Sequence, residues 1–176
     1  RSRHKNVMAI IPEAYHFPPP GSIPLQQRPG IIGCGPAGLF CAYMLALHGY
    51  RPLVLEQGDT AAVRKQKVDQ FWKTGILDEQ SNVQFGEGGA GTFSDGKLNT
   101  GVKDKNNRNR QVLEIFVGAG APREILFDAR PHLGTDLLIR IVENLRNQIL
   151  SMGGSFRFRT QVTDLKVREG KIASVI

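Results

Sequence analysis

A glycine-rich turn between an apolar run and a helical pattern is the feature that most constrains this chain. Residues 33–38 read Gly-Cys-Gly-Pro-Ala-Gly and fit the pattern G-x-G-x-x-G. The apolar run 30–32 before the turn predicts a buried parallel strand. Residues 36–48 predict a helix, because proline is tolerated in a first turn and Gly49 is a suitable C-terminal stop. The pattern therefore predicts a βα unit.

An acidic residue follows at the distance that a ligand-binding turn of this kind requires. The apolar run 52–55 predicts a second strand, and Glu56 ends it eighteen residues after Gly38. In such units Gly33 permits the tight turn, Gly35 lets a pyrophosphate approach the backbone, and Gly38 lets the helix pack against the strand. The helix N-terminus stabilises the anion. The carboxylate accepts hydrogen bonds from ribose hydroxyls and disfavours a 2′-phosphate.

This spacing predicts a dinucleotide site, and a tight βα turn without a ligand is the alternative. Further along the chain, 61–74 is expected to be a helix that buries Val63, Val68, Phe71 and Trp72. The glycine-rich stretch 85–97 is expected to be a loop.

The rest of the chain continues to alternate between helix and strand patterns. Residues 112–117 predict a short helix and 125–127 a strand. Apolar residues at spacings of three and four over 137–149 predict an amphipathic helix that ends at a Gly-Gly pair. Phe156 and Phe158 alternate with arginines and predict a strand, and 162–167 with 171–176 predict a hairpin.

Composition excludes some classes of function. The chain has 176 residues, 40% of them apolar, and a net charge of +7. No apolar stretch is long enough to span a membrane. The positive charges are dispersed except near the N-terminus and in 103–110, a run without interleaved aromatics that predicts a solvated loop. Nucleic acid is therefore not the expected partner.

The two cysteines do not form a CxxC pair, so a metal site is not expected. We expect Cys34 and Cys41 to be small buried thiols in a reducing compartment, and a cytoplasmic location. The proline-rich residues 1–29 predict an extended arm or linker.

Three strings resemble a known family. GCGPAGL at 33–39 with LVLE at 53–56 is similar to the FAD-binding sites of two-domain flavoproteins. NVQFGEGGAGTFSDGKL at 82–98 and PHLGTDL at 131–137 are more specific. Together they resemble the FAD-dependent dehydrogenases often labelled NAD(FAD)-utilising dehydrogenases, over residues 29–176.

The resemblance implies the roles of particular residues. The 33–38 turn would hold the FAD pyrophosphate, and Glu56 the AMP ribose. The 86–97 loop would pass near the flavin ring or pyrophosphate, and the Val162 backbone would lie against adenine. The cofactor-binding residues implied in this way are Gly33, Gly35, Pro36, Ala37, Gly38, Glu56, Gln57, Arg64, Gly91, Thr92 and Val162. No catalytic residue is assigned.

We therefore expect an α/β fold, a Rossmann-like FAD/NAD(P)-binding domain with a parallel sheet, helices and the start of a β-meander. Residues 30–176 would form this domain, incomplete at the C-terminus, since members of the family are longer. The expected function is the FAD-binding portion of a flavin-dependent oxidoreductase of unknown substrate, with NAD(P)H as one candidate electron donor. The alternatives are a non-catalytic nucleotide- or nucleic-acid-binding module and an NAD-dependent dehydrogenase that uses the same fingerprint.

Overall fold

The computed structural model of the chain describes residues 14–98 and 100–176. Five strands and four α-helices of this part carry the fold, and two short 3-10 helices join them. The strands are β1 (Gly30–Ile32), β2 (Leu53–Leu55), β3 (Ser155–Arg157), β4 (Leu165–Arg168) and β5 (Lys171–Val175). The helices are α1 (Pro36–Leu47), α2 (Ala61–Thr74), α3 (Arg108–Gly118) and α4 (Thr135–Ser151). The 3-10 helices span Ala90–Phe93 and Arg123–Leu126.

A three-stranded parallel sheet organises the domain. Its order is β1-β2-β3, and Ile31, Val54 and Phe156 lie side by side across it. β1, α1 and β2 form the predicted βα unit and its return strand. The connection from β2 to β3 contains α2, α3 and α4. The chain has an α/β Rossmann-like fold, as the sequence predicts.

The core lies between the sheet and the helices that cover it. Val54 in the central strand is fully buried, and the amphipathic helix predicted over 137–149 is confirmed as part of α4. Its inner face packs with the buried face of α1 in one hydrophobic cluster. Burial of aliphatic side chains contributes about 1.5–3 kcal/mol each relative to exposure. The buried residues of these two helices are Leu39, Ala42, Ala46, Leu138, Ile139, Ile141, Val142, Leu145 and Ile149.

Helix α1 is buried on one face, whereas its apolar composition predicts burial on most sides. Leu47 is 51% exposed, and Cys41 is also exposed. The expectation of two buried thiols is therefore wrong for Cys41, while Cys34 is fully buried in the turn before the helix. The physical reason is that α1 covers one side of the sheet, so that only the residues facing the sheet and α4 are enclosed.

Helix α2 has the predicted bounds but buries a different set of residues. Val68 is buried as expected, while Val63 and Trp72 are 40% and 72% exposed. Arg64 takes an inward position and is fully buried. A buried guanidinium is tolerated where its donors find acceptors, and those acceptors lie in a distant loop that periodicity does not reveal.

The strand predicted over 125–127 is wrong, because these residues follow Pro122 into a 3-10 helix. Its inward residue, Ile125, is buried, while Phe127 is 75% exposed. The predicted hairpin is confirmed as antiparallel β4 and β5, although β4 begins at Leu165. Its turn, Glu169-Gly170, has positive φ at both residues, as in the turns that match strand twist.

The end of the predicted arm lies against the sheet. Arg28 donates hydrogen bonds to the carbonyl oxygens of Arg51 (2.8 Å) and Pro52 (3.1 Å) and to Ser155 Oγ (2.7 Å). Residues 14–29 contain no helix or strand. Residues 1–13, which carry Pro12, lie outside the described residues. Within the described part, no helix combines the length and apolarity needed to cross a membrane.

Gly38 lies where the βα unit is packed most closely. A Cβ atom there would overlap the Gly33 carbonyl oxygen and lie 3.1 Å from its carbon. We expect Gly38→Ala to lower the free energy of unfolding by about 2 kcal/mol or more, because the overlap is with backbone that cannot move away freely. The matched control is Gly118→Ala in α3, where the added methyl meets no atom within 4 Å. Urea denaturation should show that the control changes the free energy of unfolding by no more than about 1 kcal/mol. Equal effects of Gly38→Ala and Gly118→Ala would contradict the packing role of Gly38.

Candidate dinucleotide site

Three loops meet at the carboxyl edge of the parallel sheet. They are the turn after β1 (33–35), the segment after β2 (56–59) and the glycine loop, which we define as residues 84–92. Backbone hydrogen bonds connect them: Gly33 N–H donates to the Leu55 carbonyl (2.7 Å), and Gly88 N–H donates to the Cys34 carbonyl (2.8 Å). Ligands of open α/β sheets bind at this edge.

The first turn of α1 is open to an anion. Gly35 is the N-cap in extended conformation, no side chain caps the helix, and its first turn carries no acidic residue. Pro36 has no N–H to donate, so the first donors of the helix are those of Ala37 and Gly38, which an α-helix leaves without an internal acceptor. The predicted residues Gly33, Gly35, Pro36, Ala37 and Gly38 therefore lie together around one helix terminus, which carries a partial positive charge.

Glu56 is 5% exposed, and both of its carboxylate oxygens accept backbone hydrogen bonds. Oε2 accepts from the Cys34 N–H (2.6 Å) and Oε1 from the Gly58 N–H (2.8 Å). Each oxygen of an ionised carboxylate retains a second lone pair that can accept a further hydrogen bond. Glu56 thus shapes the turn after β1 and still offers an acceptor to the cavity beside it.

A cavity of about 240 Å³ lies next to Glu56. It brings together five of the predicted residues, namely Gly33, Gly35, Glu56, Gln57 and Val162. The side opposite the turn is formed by the glycine loop and by the segment that follows β3. The other residues that line this first cavity are Ile32, Leu55, Gln84, Phe85, Gly86, Gly89, Thr160 and Gln161.

A second cavity of about 280 Å³ lies on the other side of the α1 N-terminus. It contains the predicted residues Pro36, Gly91 and Thr92, and its walls are mostly apolar. Gly89, in the first cavity, abuts the junction, since a Cβ on it would lie 2.9 Å from Pro36 Cδ and 3.2 Å from Gly35 Cα. The other residues that line the second cavity are Leu39, Phe40, Gly88, Ser94, Gly96, Lys97, Leu98, Val112, Phe116, Leu138 and Val142.

Arg64 lies beneath the glycine loop and lines neither cavity. Its guanidinium donates to the carbonyl oxygens of Asn82 (2.6 Å), Val83 (2.6 Å), Glu87 (2.8 Å) and Gly89 (2.7 Å). It also lies 4.7 Å from the centre of the Phe93 ring. Burial lowers the pKa of Arg64 to about 10, which keeps it charged at neutral pH. The residue orders the loop from below.

A cluster of charges anchors the segments on either side of the first cavity. Lys67 Nζ contacts Asp59 Oδ2 (2.5 Å) and Asp78 Oδ2 (2.6 Å), and Arg159 lies 3.5 Å from both acids. The hydrogen bond from Lys67 lowers the pKa of Asp78 to about 2. The cluster is partly exposed, so it positions these segments more than it stabilises the fold.

Two residues with reactive side chains lie at the far end of the glycine-rich stretch. Lys97 and His132 face each other in an isolated antiparallel bridge, and Lys97 is paired with Asp95 at 2.7 Å. The Lys97 and Asp95 side chains are 68% and 61% exposed. In the described part of the chain, no group of three or more His, Cys, Asp or Glu residues is gathered as in a metal site.

Glu87 was missed by the sequence reasoning. It is fully buried, and its Oε2 accepts hydrogen bonds from the Ala61 N–H (2.7 Å) and from Arg146 Nη1 (2.5 Å). Burial raises the pKa of Glu87 to about 7, against the lowering effects of the Ala61 hydrogen bond and Arg146. A signal was present, since Glu87 is the only charged residue between Gln84 and Ser94.

Cys34 is enclosed between the two buried acids of the site. Burial raises the pKa of its thiol far above the ordinary value, and the negative charges of Glu87 and Glu56 raise it further. The thiol is therefore neutral at physiological pH and acts as a small apolar group.

A comparison with known protein families agrees with this class of fold. Residues 31–72 match the family model described as "NAD(P)-binding Rossmann-like domain". This segment contains α1, β2 and most of β1 and α2, so the coarse description as a Rossmann-like dinucleotide-binding domain rests on both the fold and the match.

Among individual proteins, the chain is 45% identical over 156 residues to an uncharacterized protein of Clostridium beijerinckii. The match covers 89% of this chain and 29% of that protein, so the chain spans less than a third of the relative's length. Among solved structures, L-amino acid deaminases from Proteus vulgaris and Proteus myxofaciens align at 12% and 14% identity. Their TM-scores are 0.40 and 0.39, with 93% of this chain and 46% and 45% of theirs covered.

The buried acid predicts how stability depends on pH. The folded protein keeps the Glu87 proton up to about pH 7, while the unfolded chain loses it near the ordinary value of 4.5. The folded state then binds more protons in this window, so the free energy of unfolding falls as the pH rises from about 5 to 7.5. A shift of this size corresponds to at most about 3.4 kcal/mol.

We expect Glu87→Gln to flatten this slope, since an amide does not titrate. Urea unfolding followed by circular dichroism at several pH values measures it. The control is Glu124→Gln at an exposed position, which should keep the slope of the unsubstituted chain. An unchanged slope in Glu87→Gln would show that another group is responsible.

Proposed function

We propose that this chain is the FAD-binding portion of a flavin-dependent oxidoreductase whose substrate is not yet known. The observation that carries the proposal is the arrangement of two cavities on either side of the uncapped N-terminus of α1, with Glu56 in the first. A dinucleotide needs this order of sites: a ribose acceptor, an anion-binding helix terminus and a second space for the other ring system.

The first cavity suits the adenosine half. Glu56 would accept hydrogen bonds from the ribose hydroxyls, and its negative charge disfavours a 2′-phosphate. The segment after β3 is brought beside it by two backbone hydrogen bonds, from Arg159 N–H to the Gly58 carbonyl (3.0 Å) and from Thr160 N–H to the Glu56 carbonyl (2.9 Å). The Val162 backbone and the Gln57 side chain would then lie along the base.

The junction between the cavities suits the pyrophosphate. A Cβ on Gly35 would have Gly89 Cα as its nearest neighbour, at 4.0 Å. The backbone therefore leaves room for a phosphate, and the amides of Ala37 and Gly38 would donate to it. A helix N-terminus attracts anions through these donors and through its dipole.

The second cavity suits a flat aromatic ring system. Its apolar walls come from α1, α3 and α4, and Gly91 and Thr92 supply backbone at its rim. When bound there, the flavin would supply hydride chemistry, which amino-acid side chains cannot supply alone. The residues of this chain would bind and orient it and exclude water. The resemblance of the 82–98 string to FAD-dependent dehydrogenases supports flavin over nicotinamide.

A second candidate is an NAD-binding domain, favoured by the family model that matches residues 31–72. The two candidates differ in the colour of the protein and in which dinucleotide it binds more tightly. A yellow protein that retains flavin on gel filtration supports the first, whereas a colourless protein that binds NAD more tightly than FAD supports the second.

Closing the space at Gly35 tests the pyrophosphate site. We expect Gly35→Val to weaken binding of FAD and ADP by about tenfold or more, a loss of at least about 1.4 kcal/mol, because its methyl groups fill the junction. Gly21→Val is the matched control, since a Cβ there meets nothing within 4 Å. Calorimetric titration measures both, and unchanged affinity in a folded Gly35→Val protein would contradict the site.

The role of Glu56 has its own test. Glu56→Gln keeps the shape of the side chain but replaces a charged acceptor, and loss of such hydrogen bonds costs about 1.5–3 kcal/mol. We expect adenosine, ADP and FAD to bind more weakly by about the same factor, while 2′-deoxyadenosine loses less. Glu79→Gln, at an exposed position, should leave all affinities unchanged. Equal losses for adenosine and 2′-deoxyadenosine would place the effect of Glu56 on the turn alone.

A further inference from the structure

Glu87, the residue before the paired glycines, forms hydrogen bonds through its backbone N–H, its backbone carbonyl and its carboxylate. Glu87 donates its backbone N–H to the Asp59 carbonyl (3.0 Å), and its carbonyl accepts from Arg64 (2.8 Å). Its carboxylate accepts from the Ala61 N–H at the start of α2 and from Arg146 on α4. The side chain is fully buried, and Arg146 is 17% exposed.

The two glycines that follow need such anchoring. Gly88 and Gly89 have φ values of +85° and +67°, and glycine loses more conformational freedom on folding than any other residue. Gly89 lies against Gly35 and Pro36, at the junction of the two cavities. The backbone that would face a pyrophosphate therefore consists of glycines in left-handed conformation, and Glu87 fixes it on one side.

The Glu87 carboxylate also carries a cost that a structural role alone does not explain. Its Oε1 has no hydrogen-bond partner, and a buried polar atom without a partner is unfavourable. Apolar residues often replace a buried ion pair without loss of stability. An acid beside an anion site would also repel the ligand unless a cation offsets it, and Arg146 lies in position to do so.

We propose that Glu87 and Arg146 are positioning residues for the phosphate groups of the ligand: the pair fixes the backbone of Gly88 and Gly89 against the start of α1, and Arg146 offsets the buried negative charge. This inference rests on the proposed dinucleotide function. It assigns the pair to the pyrophosphate at the junction, because neither Glu87 nor Arg146 lines the first or the second cavity.

The charged and titratable groups around Glu87 come from each neighbouring element. They are Arg64 on α2, Arg146 and Glu143 on α4, Glu56 after β2 and the thiol of Cys34 before α1. A phosphate bound nearby adds negative charge, which favours the protonated form of Glu87. Binding of ADP should therefore tighten as the pH falls from 8 to 6, and the Glu87→Gln protein should lack the part of this dependence that Glu87 contributes.

The experiment compares ADP with adenosine, which lacks the phosphates, by calorimetric titration of the whole chain. We expect Arg146→Ala to weaken ADP binding by about tenfold or more, with adenosine affinity within about twofold. Arg146→Lys should restore part of the ADP affinity by returning the charge. Arg140→Ala removes one positive charge from an exposed position of the same helix and should leave both affinities unchanged.

Glu87→Gln keeps an acceptor for Ala61 and Arg146. It therefore still tests the pair if the Arg146→Ala protein does not fold. We expect the ratio of its ADP affinity to that of the unsubstituted chain to change with pH. Its adenosine affinity should have the same pH profile as that of the unsubstituted chain. Amide exchange of residues 84–92 should be faster in Arg146→Ala than in Arg140→Ala.

Two results would overturn the inference and leave the proposed function intact. One is ADP affinity within twofold of the unsubstituted chain in both Arg146→Ala and Glu87→Gln. The other is an equal loss of ADP and adenosine affinity, which would assign the pair to general stability. Failure of the unsubstituted chain to bind either adenosine or ADP would instead contradict the proposed function and the inference together.

Discussion

The hydrogen bonds from Arg64 to four backbone carbonyls are the interaction on which the rest of the candidate site depends. The stretch between α2 and the 3-10 helix at 90–93 forms no regular ladder, yet part of it is buried. Buried carbonyl groups require donors, and a guanidinium supplies five in a fixed geometry. One side chain from α2 therefore replaces the hydrogen bonds that a strand or helix would have formed.

The same arrangement couples the halves of the site. Arg64 holds the Gly89 carbonyl, Gly89 lies against the N-cap of α1, and the Gly88 N–H donates to the Cys34 carbonyl. The Cys34 N–H in turn donates to Glu56. In the turn after β1, the Cys34 N–H is therefore directed at Glu56 and the Cys34 carbonyl at the glycine loop. Cys34 thus connects the acid beside the first cavity to the loop that lines both cavities.

Much of the fold was predictable because its determinants are local. Pro36 and Gly49 bound α1, the spacing from Leu138 to Ile149 identifies the inner face of α4, and Glu169-Gly170 forms the hairpin turn. The errors arise where tertiary contacts override the local pattern. Ile125 is buried by the packing of a 3-10 turn, and Arg64 displaces Val63 from the inner face of α2 because its acceptors lie about twenty residues further along the chain.

The candidate site divides in the same way. The 33–38 turn and Glu56 follow from spacing, because a βα unit places them at one sheet edge. The contribution of Glu87 depends on Arg146, which is fifty-nine residues away, and no periodicity relates such a pair. The residues Gln84, Phe85 and Thr160 also line the first cavity. Their positions depend on contacts that no sequence pattern shows, such as the hydrogen bond from the Thr160 N–H to the Glu56 carbonyl.

The two cysteines differ in a way that has a practical consequence. Cys41 is exposed on α1, while Cys34 is enclosed in the turn that precedes the same helix, with a thiol that stays protonated. Thiolate formation and access together determine the rate of alkylation, so a maleimide will attach at one position and leave the other untouched. The chain therefore offers a single natural attachment point for a fluorophore or spin label, about one and a half turns along the helix from the junction of the two cavities.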